Sequence, residues 1–149
     1  MTFPVRGVAA GYALVLGVVA LLNQVPGIVD GEGRVFGIFA LDVYDDLLHA
    51  ASALWAAVAA FVSRRASIAF LRLFGTLYLL DGLLGLATGS GYLDLGIVLY
   101  GIQPQPAMFR VLANLPHLAL GGVAAFVGWR TVPGSGPGLG LGPDPGRAG

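Results

Sequence analysis

The stretch DDLLHAASALWAAVAAF, residues 45–61, opens on two aspartates and a histidine and then runs apolar to its end. NLPHLALGGVAAF, residues 114–126, repeats the arrangement with Asn114 and His117 at its head. A helix needs about 20 mainly apolar residues to cross the roughly 30 Å hydrocarbon core of a bilayer. Working outward from the two stretches, apolar runs of that length fall at 7–24, 43–63, 67–88 and 106–130. For the last, we read Pro106 as opening a long helix that contains Pro116; a shorter helix capped by Asn114 is the competing start.

Composition points the same way. Of the 149 residues, 56% are hydrophobic and only 11% are charged, with a mean hydropathy of +0.82; a soluble domain carries about 25% charged residues. The expectation is an all-α integral membrane four-helix bundle, with the lipid bilayer as its surroundings. The basic residues are all arginine, scattered singly or as Arg64-Arg65, and net charge is zero. No basic stripe is present to follow phosphates, so nucleic acid is not expected as a partner. There is no cysteine, hence no disulfide, thiolate nucleophile or sulfur metal site. Neither a phosphate loop nor a nucleophile beside a base occurs, so the chain reads as non-enzymatic, with no metal and no cofactor predicted.

Arginine placement predicts orientation. Arg6 precedes the first span, Arg64 and Arg65 lie between the second and third, and Arg130 closes the fourth, while the other two loops hold only Arg34 and Arg110. By the positive-inside rule both termini are expected to be cytoplasmic. The outer loop segments RVFGIFAL (34–41) and YLDLGIVLYGI (92–102) are too apolar to be solvated and too short to cross, which predicts that they roof the mouth of the bundle. After Arg130, glycine and proline dominate residues 131–149, the pattern of a disordered cytoplasmic tail.

Sliding the chain on itself by about 66 residues lays Arg72 on Arg6 and Tyr78 on Tyr12, and with a small insertion brings Asn114-Leu-Pro-His117 onto Asp46-Leu-Leu-His49. Each half has two helices, an even number, so a duplication would place two tandem hairpins side by side in the same orientation. YDDLLHAASALW and LANLPHLALGGV resemble the openings of the second and fourth helices in the family of small bacterial four-helix membrane proteins catalogued as domain of unknown function 4383. The resemblance covers roughly residues 6–130; Ala50 stands where that family has leucine, and the tail lies outside its pattern. The resemblance implies the fold and a bacterial inner-membrane setting, and no activity.

His49 and His117 each head a stripe of small residues, Ala53, Ala56, Ala60 and Ser63 in one case and Gly121, Ala124 and Gly128 in the other. Small residues mark close helix approach in membranes, so the imidazoles should point inward. Gly7, Gly11, Gly17, Gly82 and Gly85 offer facing surfaces on the first and third helices. Asp42, Asp45 and Asp46 suit a helix N-terminus, and Arg72 suits a side chain reaching the interface along its own stem. Asp81 is different: an ionised carboxylate inside a span costs about 3 kcal/mol and its short side chain needs a partner. The expected polar cluster is His49, His117 and Asp81, with Asp46 and Asn114 beside them. It supports three readings: a structural or accessory subunit associating with itself or with a larger membrane complex, a small carrier or proton-linked binding protein, and a b-type protein with His49 and His117 as axial ligands to one haem.

Overall fold

A computed structural model describes residues 3–39 and 41–132; residues 133–149 of the expected tail lie outside the described residues. The architecture is all-helical, with α1 at Val5–Val19, α2 at Val43–Val62, α3 at Arg64–Thr88, a single turn α4 at Gly96–Leu99, and α5 at Ala107–Arg130. Four helical segments, Val5–Gln24, Val43–Val62, Arg64–Thr88 and Ala107–Arg130, are long and apolar enough to cross a membrane. The first of these is α1 extended by a turn and the short 3-10 segment Leu22–Gln24.

Helix boundaries follow local chemistry. Asp42 caps α2, its side chain accepting from the Tyr44 and Asp45 amides, while the Asp45 carboxylate accepts from the Asp42 amide, a reciprocal capping box. At the far end of α2 there is no loop: Ser63, in extended conformation, is both the C-cap of α2 and the N-cap of α3, its hydroxyl accepting from the Ala66 amide. Arg64 and Arg65 therefore lie in the first turn of α3, whereas charge alone suggests a connection running to 66. Gly89 ends α3 at φ 79°, a left-handed C-cap that a side chain would strain.

α3 packs most extensively against α5, α1 packs against α2, and α3 also meets both α2 and α1. The α3–α5 contact depends on glycine: a Cβ on Gly121 would overlap the Leu79 backbone, one on Gly75 the Ala125 backbone nitrogen, and one on Gly85 the Asn114 carboxamide. The expected close approach on α1 is not uniform. Gly17 would place a Cβ 3.9 Å from that of Ala53, but nothing lies within 4 Å of a Cβ on Gly11. The reason is packing: α1 leans on α2, and toward α5 Gly11 borders an open groove where the Tyr12 hydroxyl donates to the Leu120 carbonyl at 2.6 Å.

Aromatic rings fill the middle of the bundle. Phe70, Phe74 and Tyr78, successive on one face of α3, stack at centroid spacings of 5.0 and 4.4 Å, with Tyr12 edge-on to Phe74 at 5.6 Å. One end of the bundle is held by arginines. Arg6 donates to the Ala60 and Phe61 carbonyls of α2, and Arg72 donates to Gly128 and Thr131 at the end of α5 while lying 4.9 Å from the Trp129 ring. At that end of the bundle the Arg72 head group satisfies orphan helix-end carbonyls. Thr131, expected to begin the tail, is buried and bonded to the Val127 carbonyl.

Candidate functional site

The opposite end is acidic. The sequence gathers its carboxylates there because α2 begins at it, α3 ends at it, and the connection from α3 to α5 folds across it. Asp81, two turns before the end of α3, is 1% exposed. One of its oxygens accepts from the backbone amides of Tyr92 and Leu93 at 2.6 and 2.9 Å, and the other accepts from His117 Nδ1 at 2.8 Å. A single buried carboxylate thereby joins α3, the α3–α5 connection and α5. Three charge-assisted hydrogen bonds are what such a group requires to stay ionised in the interior.

His49 lies behind this pair. Its Nδ1 donates to the Asp45 carbonyl at 2.7 Å and its Nε2 faces the Tyr78 hydroxyl at 2.8 Å. A carbonyl only accepts, so the arrangement suits an Nδ1-protonated, neutral ring taking the Tyr78 proton at Nε2. Tyr78 bridges the two histidines, 4.5 Å centroid to centroid from His117, while the imidazoles stand 6.4 Å apart. The resulting chain of contacts runs Asp81, His117, Tyr78, His49, Asp45, and spans α2, α3 and α5.

Two of the expected residues take other places. Asp46 turns to α1, where the Asn23 side chain donates to both of its oxygens at 3.2 Å and to the Leu41 carbonyl, so it pins the first hairpin and does not touch the histidines. Asn114 donates to the Arg110 carbonyl one turn back and packs on Gly85, near His117 but outside the bonded chain. Tyr78, the Asp45 carbonyl and the Tyr92 and Leu93 amides belong to the network without having been singled out. Tyr78 had a signal, since it repeats Tyr12; backbone amides leave none in side-chain identity.

Above the network is a chamber of about 360 Å³, lined by Asp42, Asp45, Asp81, Asp94 and His117 together with Phe39, Tyr100, Phe109 and Asn114. Its roof comes from both end loops, joined across the mouth by the Tyr100 hydroxyl donating to Asp42 at 2.9 Å. That bond to a carboxylate raises the Tyr100 phenol above its ordinary pKa. Burial raises the Tyr92 phenol, whose hydroxyl donates to the Leu77 carbonyl. Toward the interior, Tyr78, bonded to His49, carries the network onto the stacked Phe74 and Phe70.

The residues do not fit a haem held by His49 and His117 as they stand. Both nitrogens of His49 are engaged, so ligation would cost it the Tyr78 bond, and the Tyr78 ring packs against the His117 imidazole. Among the described residues no group of three His, Cys, Asp or Glu is placed to hold a metal ion. Compared with protein-family models, curated proteins and solved structures, the chain matches none of them.

Proposed function

We propose that the chain is a multi-pass bacterial inner-membrane protein that serves as a structural or accessory subunit, associating with copies of itself or with a larger membrane complex, and carrying out no chemistry of its own. The observation that carries this reading is the completeness of the inner polar network: both Asp81 oxygens and both His49 nitrogens are engaged within the chain. A catalytic group keeps a reactive atom free for its substrate; these atoms are spent on tying α2, α3 and α5 together. The test is native mass in mild detergent together with copurification from the native membrane. A defined oligomer or a stoichiometric partner is expected; a monodisperse monomer with no partner under any mild condition would overturn the reading.

The same proposal covers orientation, ancestry and family. Arg6, Arg64, Arg65, Arg72 and Arg130 are assigned to the cytoplasmic side and the acidic end to the outer side. The tandem-hairpin reading gains support from the arginines, since Arg6 and Arg72, matched by the sequence offset, each bond the carbonyls ending the second helix of their own hairpin. Tyr12 and Tyr78 likewise each reach across to the second helix of the other hairpin. On this arrangement and the motifs at 44–55 and 112–123, we assign the chain to the four-helix family it resembles.

The chamber favours a second reading, a small binding or carrier protein working from the outer mouth. Proteoliposome flux that disappears in Asp81→Asn would favour it over the accessory role; flux indifferent to that change would remove Asp81 from any such mechanism.

A further inference from the structure

The connection from α3 to α5 is fixed at two feet and loosely held between them. At the first foot the Tyr92 and Leu93 amides donate to Asp81, and at the second the Gln103 amide donates to the Thr88 carbonyl at 2.9 Å. Between the feet lies the single turn α4, where Gly96 and Tyr100 line the chamber. Two left-handed residues bracket this turn, Leu95 at φ 66° and Gly101 at φ 68°. Glycine takes that conformation freely, whereas a leucine rarely does, because its Cβ crowds the backbone. No neighbour lies within 4 Å of a Cβ on Gly101, so its backbone conformation, and not close packing, is what calls for glycine there. Backbone in such sparsely populated regions persists only where its surroundings impose it, and it gathers at clamps and switches.

Little holds the turn against the rest of the molecule. The Ile97 amide donates to the Gly91 carbonyl at 2.7 Å and the Gly96 amide to Asp94 at 2.9 Å, both within the connection itself. Across the mouth, the Tyr100 hydroxyl donating to Asp42 is the one hydrogen bond between the two end loops among the described residues. The α1–α2 loop is folded without it, by Asp30 on the Arg34 amide and by the bridges from Val35 to Val29 and Phe39. Hinges are a few loop positions that absorb a backbone change, and here two candidates flank the segment that carries the only latch. We propose that residues 95–101 form a latched lid over the chamber, swinging on Leu95 and Gly101 and released when Tyr100 leaves Asp42. This rests on the binding reading above, to which it adds controlled access. Its test reads access alone, so a chain without flux can still have the lid, and a missing lid leaves the flux result standing.

The experiment places one cysteine in the chamber of this cysteine-free chain and follows its modification in the full chain in mild detergent. Ala113 lines the chamber from α5, so Ala113→Cys is the reporter. The probe is 2-(trimethylammonium)ethyl methanethiosulfonate, whose fixed charge keeps it out of the detergent-covered flanks. Tyr100→Phe deletes the latch and keeps the ring. It should speed modification of Ala113→Cys by about fivefold, the change in an opening equilibrium that one hydrogen bond accounts for. Ser67→Cys, fully buried at the arginine end, should stay unreactive with or without the Tyr100 hydroxyl. Equal rates at Ala113→Cys with tyrosine and phenylalanine at position 100 would overturn the lid, as would an Ala113→Cys that stays unreactive in both. Reactivity gained at Ser67→Cys would overturn it differently, by showing that the bond holds the whole bundle together.

Discussion

Asp81 shows what one residue can organise. Its carboxylate lies in an environment where an ion costs several kcal/mol, and three donors from two separate segments offset that cost. Asp81→Ala would leave two loop amides and an imidazole without their acceptor, and we expect a loss of about 3 kcal/mol in reversible detergent unfolding. Tyr78→Phe removes only the proton that His49 Nε2 accepts, so a loss of about 1 kcal/mol is expected; equal losses in the two variants would contradict the central place given to Asp81. Outside the spans, Asp30 organises a turn by accepting from the Glu32 and Arg34 amides and the Arg34 guanidinium. Chiefly the Arg34 amide holds this carboxyl below the usual carboxylate range. A depressed folded pKa contributes stability that is complete above the unfolded value of about 3.9 and fades as pH falls through the folded one. The Arg34 amide resonance should therefore titrate with a midpoint under about 3.9, and a midpoint at or above that would break the assignment.

At the scale of elements, the α3–α5 pair is held close because its glycines allow backbone to approach backbone. A Cβ at Gly121 meets Leu79 and Tyr78 main chain, which cannot rotate away, whereas one at Gly122, the next residue, meets nothing within 4 Å. Gly121→Val should thus cost at least the 1–3 kcal/mol typical of overpacking, and Gly122→Val should be nearly neutral. Thermal aggregation midpoints of the two variants in one detergent decide it, and similar midpoints would refute the packing. Much of this was legible in the residues: the stripe Gly121, Ala124, Gly128 faces α3 in the way small residues announce. Gly11 sent the same signal and faces open space, because a glycine permits close approach without naming the partner. The Ser63 joint was hidden for a related reason, since two arginines suit a loop and a helix's first turn alike, and only the serine cap distinguishes them. In the site, the pairing of Asp81 with His117 follows from burial and chemistry, but the turn of one helical position that sends Asp46 to Asn23 and Asp45 into the chamber depends on exact helix rotation. Apolar periodicity here is too even to fix it.

Across the whole molecule the two ends differ in kind, and that difference is the strongest handle on how the chain sits in a bilayer. One end spends Arg6 and Arg72 on helix-end carbonyls and presents Arg65 to its surroundings; the other presents Glu32, Asp42 and the chamber mouth. Arginine resists translocation far more than aspartate does, so the arginine end should remain cytoplasmic. The chain contains no cysteine, which gives single-cysteine variants a clean background. Glu32 and Gln105, both exposed, lie in separate loops of the acidic end, and Arg65 lies at the joint between α2 and α3. In intact cells a membrane-impermeant maleimide should label Glu32→Cys and Gln105→Cys from outside, and should reach Arg65→Cys only after the membrane is opened. Labelling of Glu32→Cys without Gln105→Cys would mean that α3 fails to cross with the others, and external labelling of Arg65→Cys would invert the molecule and place the chamber on the cytoplasmic face.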